Sequence, residues 1–263
     1  MLGGQKEKTM SRINKLLATA AIAAVSLITV ESAVAATKAV VLVHGAAMDG
    51  SGWKAVYNIL REKGFDVRIV QQPLSGFEND VAATKRTIDA VAGKIVLVGH
   101  SYGGAVITEA GTDPKVGALV YVAGQQPDQG ETVRQLNAQM PPAIDGGSME
   151  VTQDGYLTIG SAAFIRDVAG DLPTETAAFL AASQVPTNVS AFSHVLTSAA
   201  WHDKPTFAIV ATDDRTINPD LQRWMYARSK SKITEIKASH LLHISHPAAV
   251  ADVIARAAEA VVE

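Results

Sequence analysis

Gly99-His100-Ser101-Tyr102-Gly103 places a serine between two glycines, each two residues away, in the pattern G-x-S-x-G. A serine hydroxyl is a poor nucleophile until a base takes its proton, and that base needs a carboxylate to orient it. The string has two wildcards and carries little alone, but its setting carries more. An apolar run ends at Gly99 and a helix-like run follows Tyr102, so Ser101 would sit on a sharp turn between strand and helix. The glycines prevent collision with neighbouring backbone, and the helix N-terminus favours developing negative charge. The alternative is a glycine-rich turn used only for packing.

With a serine on such a turn, the partners are expected in the chain order serine, acid, histidine. Asp213-Asp214 follows the apolar run Thr206 to Ala211, and His240 follows Ile233 to Ile236, so each would emerge at the same sheet edge as Ser101. Asp214 is the preferred acid; Asp213, read as a turn residue, and Asp128, after the run ending at Val122, are its competitors. His240 is preferred as base over His243, which reads as a packed loop histidine, and His246, which with Pro247 opens a final helix. Backbone N–H groups of Ala46 and Tyr102 are the candidate donors to an oxyanion, with Gly45 allowing close approach to a substrate. His44 and His100 read as structural hydrogen-bonding residues, and His194 and His202 have no assigned role. No H-E-x-x-H or cysteine is present, so no metal site is expected.

The elements that must position these residues follow from periodicity. Candidate strands are Ala39 to Val43, Asp66 to Val70, Lys94 to Val98, Val116 to Val122, Thr206 to Ala211 and Ile233 to Ile236. Helical segments alternate with them, over about Trp53 to Lys63, 77 to 93, and from Ser101 to about Ala110. This predicts an α/β fold with a doubly wound, mainly parallel six-stranded sheet and ligands at the carboxyl ends of the strands. From about 125 to 203 the alternation stops. Helix-like pieces around Glu131 to Gln139, Thr174 to Gln184 and Asn188 to Ala199 predict a small helical cap inserted in the domain spanning 37–263.

Of 263 residues, 48% are hydrophobic and 19% charged, which excludes a disordered polyampholyte and suits one globular domain. A net charge of -3 with no basic cluster argues against a nucleic-acid partner. Residues 1–36 differ in composition. A basic segment from Met10 to Lys15, the uncharged run Leu16 to Val30 and the small residues Ala33-Val34-Ala35-Ala36 form a secretory signal, with 1–9 as an upstream extension. Cleavage after Ala35 or Ala36 would release a periplasmic or secreted protein with no stable membrane insertion. The uncharged run is shorter than the roughly 20 residues a spanning helix needs.

VLVHGAAMDGSGW, GHSYGGAVITEAG, DPKVGALVYVAG, VATDDRTINPDLQR and ASHLLHISHP together resemble the α/β-hydrolase superfamily, within it the small-cap esterases similar to plant hydroxynitrile lyases and methyl-esterases. The likeness runs from about Ala39 to the C-terminus. It implies a Ser101, Asp214, His240 triad, donors at Ala46 and Tyr102, and no cofactor. The lyases of this group carry threonine after the first-strand histidine and lysine after the catalytic one. Here those positions are Gly45 and Leu241, which speaks against cyanohydrin cleavage. The expected function is an exported serine carboxylesterase acting on small to medium apolar esters, because the cap segment is rich in Ala, Val, Leu and Phe, with Phe164, Phe179 and Phe192. A hydrolase-fold protein that binds a ligand without turnover is the alternative.

Overall fold

The computed structural model describes residues 39–261. The signal segment expected over 1–36 lies outside the described residues. Within them the chain order is β1 (Ala39–Val43), α1 (Lys54–Glu62), β2 (Asp66–Ile69), α2 (Phe77–Asp89), β3 (Ile95–His100), α3 (Tyr102–Ala110) and β4 (Val116–Val122). Then come α4 (Val133–Gln139), β5 (Met149–Val151), β6 (Tyr156–Ile159), α5 (Ser161–Ala163), α6 (Thr174–Ala182) and β7 (Thr187–Asn188). The last are β8 (Thr206–Ala211), α7 (Pro219–Arg228), β9 (Lys232–Ile236), α8 (Leu242–Ser245) and α9 (Pro247–Glu259).

Six strands form one parallel sheet in the order β2-β1-β3-β4-β8-β9, as the alternation of apolar runs and helices predicts. The period of two explains how both faces are covered. On one face Val41, Val43, Leu97, Leu119, Tyr121 and Val210 pack against α2, α3 and α7. On the other, Val40, Leu42, Val98, Val120 and Ile209 pack against α1 and α9. Successive side chains point to opposite faces, so strands buried on both sides read as continuous apolar runs.

Strand order runs outward from β1 on one side and from β3 on the other, so β1 and β3 meet at the switch point where crevices open. The turn from β3 into α3 lies there. A Cβ at Gly99 would sit 2.4 Å from the Gly103 carbonyl oxygen, one at Gly103 2.5 Å from that of His44, and one at Gly104 2.5 Å from that of Gln125. Only glycine lets α3 lie this close to its neighbours.

Between β4 and β8 the chain adds no strand to the central sheet. It forms α4, a three-stranded antiparallel sheet in the order β5-β6-β7, α5 continuing into a π-helical turn Phe164–Val168, and α6. The helix expected from Asn188 to Ala199 does not form. The Asn188 side chain accepts from the Ser190 N–H and opens a short 3-10 turn, Val189–Ser193, and its own N–H bonds the Leu74 carbonyl at 2.8 Å. Local side-chain bonding to backbone displaces a weakly apolar helical period there. The segment is thus mixed in structure where sequence periodicity suggests helices alone. Phe179, expected to add to its apolar interior, is 69% exposed.

Gly104→Ala tests the close approach directly. Alanine in a helix ordinarily gains about 1 kcal/mol over glycine. Here the overlap with Gln125 is expected to reverse the sign and cost about 1–3 kcal/mol, read as a lower urea midpoint; an unchanged or raised midpoint would refute the packing account.

Candidate active site

Ser101 follows the last residue of β3 and precedes the first of α3, so the chain reverses within it. Its backbone stands at φ 53° and ψ -126°. This region is sparsely populated for a residue with a Cβ and costs on the order of 1–3 kcal/mol. The turn is held from outside: the Ser101 N–H donates to the Val122 carbonyl at 3.2 Å, and its carbonyl accepts from Gly104 at 2.9 Å and Gln125 at 3.0 Å. The hydroxyl is left to face the cavity above the sheet edge.

Three residues distant in sequence meet there. His240 Nε2 lies 2.8 Å from Ser101 Oγ, and His240 Nδ1 lies 2.7 Å from Asp214 Oδ2. A carboxylate only accepts, so Nδ1–H donates to Asp214 and the Nε2 lone pair faces the serine O–H. Asp214 and His240 are buried, and Ser101 is half-buried. Asp213 is exposed on the turn, and Asp128 accepts from His202 at 2.8 Å, far along the chain from His240. Neither competitor pairs with His240.

Asp214 is satisfied on both oxygens. Oδ1 accepts from the N–H groups of Thr216 at 2.8 Å and Ile217 at 2.9 Å, and Oδ2 accepts from Gln222 Nε2 at 2.8 Å as well as from His240. Gln222, fully buried on α7, also accepts from the Ala211 N–H. Sequence reasoning missed Gln222, because a glutamine in an amphipathic helix carries no signal of which way it faces. His100 takes the structural hydrogen-bonding role expected of it: its Nε2–H donates to the His240 carbonyl at 3.0 Å and so fixes the loop that carries His240.

His44 accepts the Gln72 N–H on Nε2 at 3.0 Å, and burial lowers its pKa. Burial and then the neighbouring histidines lower His100, and burial and His240 push His243 down to about 3. His243 is packed as expected, on Trp53 at 4.6 Å between ring centroids, but lies in the short α8 and not in a loop. His246 precedes α9, as Pro247 predicts. His194 stacks on Phe77. Among the described residues no group of three His, Cys, Asp or Glu is placed to hold a metal ion.

Ala46 and Tyr102 both line the cavity, and among the described residues no backbone carbonyl accepts from either N–H in a loop or cap. Their carriers are tied down. The Tyr102 O–H donates to buried Asp80 at 2.8 Å, and Asp80 also accepts the Leu74 N–H. The Ala47 N–H donates to Thr187 Oγ1 at 2.9 Å. The cavity has a volume of about 220 Å³, and its walls are mostly apolar, with Met48, Ile144, Leu157, Phe164, Phe192 and Leu241 among them.

Two carboxylates of the inserted segment grip the loops that carry Asp214 and His240. Asp167 accepts from Arg166 and, at 2.6 Å, from Arg215 Nε, next to Asp214. Asp171 accepts from the Ser239 N–H and hydroxyl, next to His240, and from Ser245 Oγ at 2.8 Å. The hydrogen bond from Arg166 leads in holding Asp167 below the usual carboxylate range, against the cost of burial. For Asp171 burial acts upward, but the Ser239 and Ser245 bonds together hold it low.

A parallel sheet with a serine-bearing turn between its third strand and the next helix defines the α/β-hydrolase class of fold. The chain belongs to the alpha/beta hydrolase family, which it matches over residues 40–253. It is 27% identical over 199 residues to the probable hydrolase R7 of Phoma sp. (strain ATCC 20986 / MF5453), covering 71% of this chain and 80% of that protein. Among solved structures it resembles polyneuridine aldehyde esterase, with a TM-score of 0.72 and 17% identity over 84% of this chain and 98% of that one. It resembles a pyrethroid hydrolase from Sphingobium faniae JZ-2 with a TM-score of 0.73 and 21% identity, over 85% and 98%. Tomato methylketone synthase I complexed with 2-tridecanone gives 0.73 and 20%, again over 85% and 98%. These likenesses speak to the fold.

The carboxylate grip has a pH consequence. A carboxyl whose folded pKa is below its unfolded value near 3.9 contributes stability that is present above that value and lost as pH falls through the folded pKa. Thermal midpoints are therefore expected to drop between about pH 4 and pH 2, and the drop is expected to be shallower in Asp167→Asn than in wild type. Equal slopes would show that Asp167 does not contribute.

Proposed function

We propose that this protein is an exported serine hydrolase of carboxylic esters, acting through Ser101, His240 and Asp214. The observation that carries the reading is the unbroken chain from Asp214 to His240 at 2.7 Å and on to Ser101 at 2.8 Å, opening on an apolar cavity. His240 Nε2 takes the Ser101 proton as Oγ attacks the ester carbonyl. The N–H groups of Ala46 and Tyr102 receive the negative charge on the carbonyl oxygen, and Asp214 stabilises the imidazolium. His240 then gives its proton to the departing alcohol, leaving an acyl-enzyme. Water, deprotonated by His240, attacks the acyl carbon, and Ser101 Oγ recovers the proton as the acid leaves. No cofactor takes part.

The cavity size and its apolar walls favour small to medium esters. An esterase and a pyrethroid hydrolase among the proteins of like fold agree with ester cleavage. Cyanohydrin cleavage is opposed by two positions. A Cβ at residue 45 would lie 2.8 Å from Ser101 Cβ, which leaves no room for a threonine, and the residue after His240 is the buried, uncharged Leu241. The leader-like composition of residues 1–36 supports export to the periplasm or beyond.

Turnover of p-nitrophenyl esters of increasing acyl length tests the reading. Ser101→Ala is expected to lower kcat by about 10⁴-fold or more, and Asp214→Asn by about 10⁴-fold, with folding retained by circular dichroism. Ser101→Ala keeping the wild-type rate on every ester would overturn the mechanism. A wild-type protein inactive on all of them would favour ligand binding without turnover.

A further inference from the structure

The cavity wall is mostly apolar. Of the polar side chains that line it, Ser101 and His240 hold each other, Tyr102 Oη donates to Asp80 at 2.8 Å, and Thr216 Oγ1 donates to the Asp167 carbonyl at 3.3 Å. His100 is bound through Nε2 and its Nδ1 is sealed from the cavity. Gln125 and Asn137 remain.

These two come from different elements. Gln125 follows β4, is 4% exposed, and donates its backbone N–H to the Ser101 carbonyl, so it stands beside the serine turn. Asn137 lies on α4. The Gln125 Nε2 donates to Asn137 Oδ1 at 2.9 Å. One amide–amide bond leaves one acceptor, Gln125 Oε1, and one donor, Asn137 Nδ2, without a hydrogen-bond partner among the described residues. Exchanging the ends of both amides leaves the same pair of atom types free, one amide NH2 and one amide oxygen side by side. Neither free atom is buried away like Nδ1 of His100.

We propose that this pair is a specificity subsite for a hydroxyl or amide group on an otherwise apolar ester, close to the carbonyl that Ser101 attacks. The inference rests on the ester-hydrolase reading above. Both group types donate and accept, and so can meet both free amide ends at once. A ligand lacking such a group strips water from the pair and leaves it unpaired, whereas the apolar walls discriminate only by size. The pair accordingly selects for chemistry where the rest of the cavity selects for bulk.

The test compares methyl pentanoate with its 2-, 3- and 4-hydroxy and acetamido derivatives. In wild type at least one derivative is expected to exceed the parent in kcat/KM by roughly tenfold. That ratio should fall to about one or below in Asn137→Leu, with Asn137→Ala as a second variant that shortens the side chain without filling the corner. The same esters are also titrated calorimetrically into Ser101→Ala protein, where the derivative should bind about tenfold tighter than the parent and Asn137→Leu should abolish the difference. Cleavage of all esters with no derivative preferred, or a preference that survives both variants, overturns the subsite and leaves the hydrolase reading standing. No cleavage of any ester, with the binding preference intact and dependent on Asn137, overturns the hydrolase reading and upholds the subsite. Neither turnover nor a binding difference overturns both.

Discussion

The chain reverses direction within one residue, and most of what surrounds the cavity follows from how that reversal is held. At φ 53° and ψ -126° Ser101 occupies a backbone region that its side chain disfavours. Helix formation in α3 does not require it; contact does. Gly99, Gly103 and Gly104 bring three stretches of backbone together, so that Gly103 lies on the His44 carbonyl after β1 and Gly104 on the Gln125 carbonyl after β4. The loops at the ends of β1 and β4 are thereby fixed relative to the serine. Those two loops carry the proposed oxyanion donor at 46 and the amide at 125. Strain at one residue is offset by the packing of three strands, which is why it persists.

The inserted segment depends on the same edge. Its strand β7 meets the Ala47 N–H through Thr187 and the Leu74 carbonyl through Asn188. Leu74 shares Asp80 with Tyr102, so both candidate oxyanion donors are linked through one buried carboxylate and one short strand. Burial raises the Asp80 pKa, with the Tyr102 and Leu74 hydrogen bonds opposing it. On the other side Asp167 and Asp171 grip Arg215 and Ser239, each the chain neighbour of a proposed catalytic residue. The segment is therefore part of what positions the site, not only a cover over it.

How much of this the sequence discloses depends on the range of the forces involved. The central strands are readable because burial on both faces leaves apolar runs; Ser101 and Asp214 are readable because each follows such a run, and His240 because it follows the alternating edge strand β9. The inserted segment is harder. Met149–Val151 and Tyr156–Ile159 are too short to show alternation, and their pairing with Thr187–Asn188 is a long-range event. Gln222, Asp167 and Asp171 act through contacts that chain spacing does not encode. Phe179 shows the limit from the other direction: its type suggested an interior position, and its place on α6 turns it to solvent.

Four buried histidines, at 44, 100, 240 and 243, crowd this edge, and composition alone does not distinguish them. Hydrogen-bond inventory does. His240 is the one with a carboxylate on Nδ1 and a hydroxyl at Nε2. His100 and His243 lie close by, with ring centroids 4.7 Å from His100 to His240 and 4.2 Å from His100 to His243. A charge on either would repel an imidazolium forming on His240, and at such separations in a low-dielectric site that repulsion would be large. Burial lowers the pKa of both and keeps them neutral near pH 7. His100 then donates to the His240 backbone and would not compete for the proton that the proposed mechanism moves. In the proposed mechanism, desolvation of the neighbours thus works with Asp214: one removes the opposing charge and the other supplies the compensating one, so the Ser101 proton has a single acceptor.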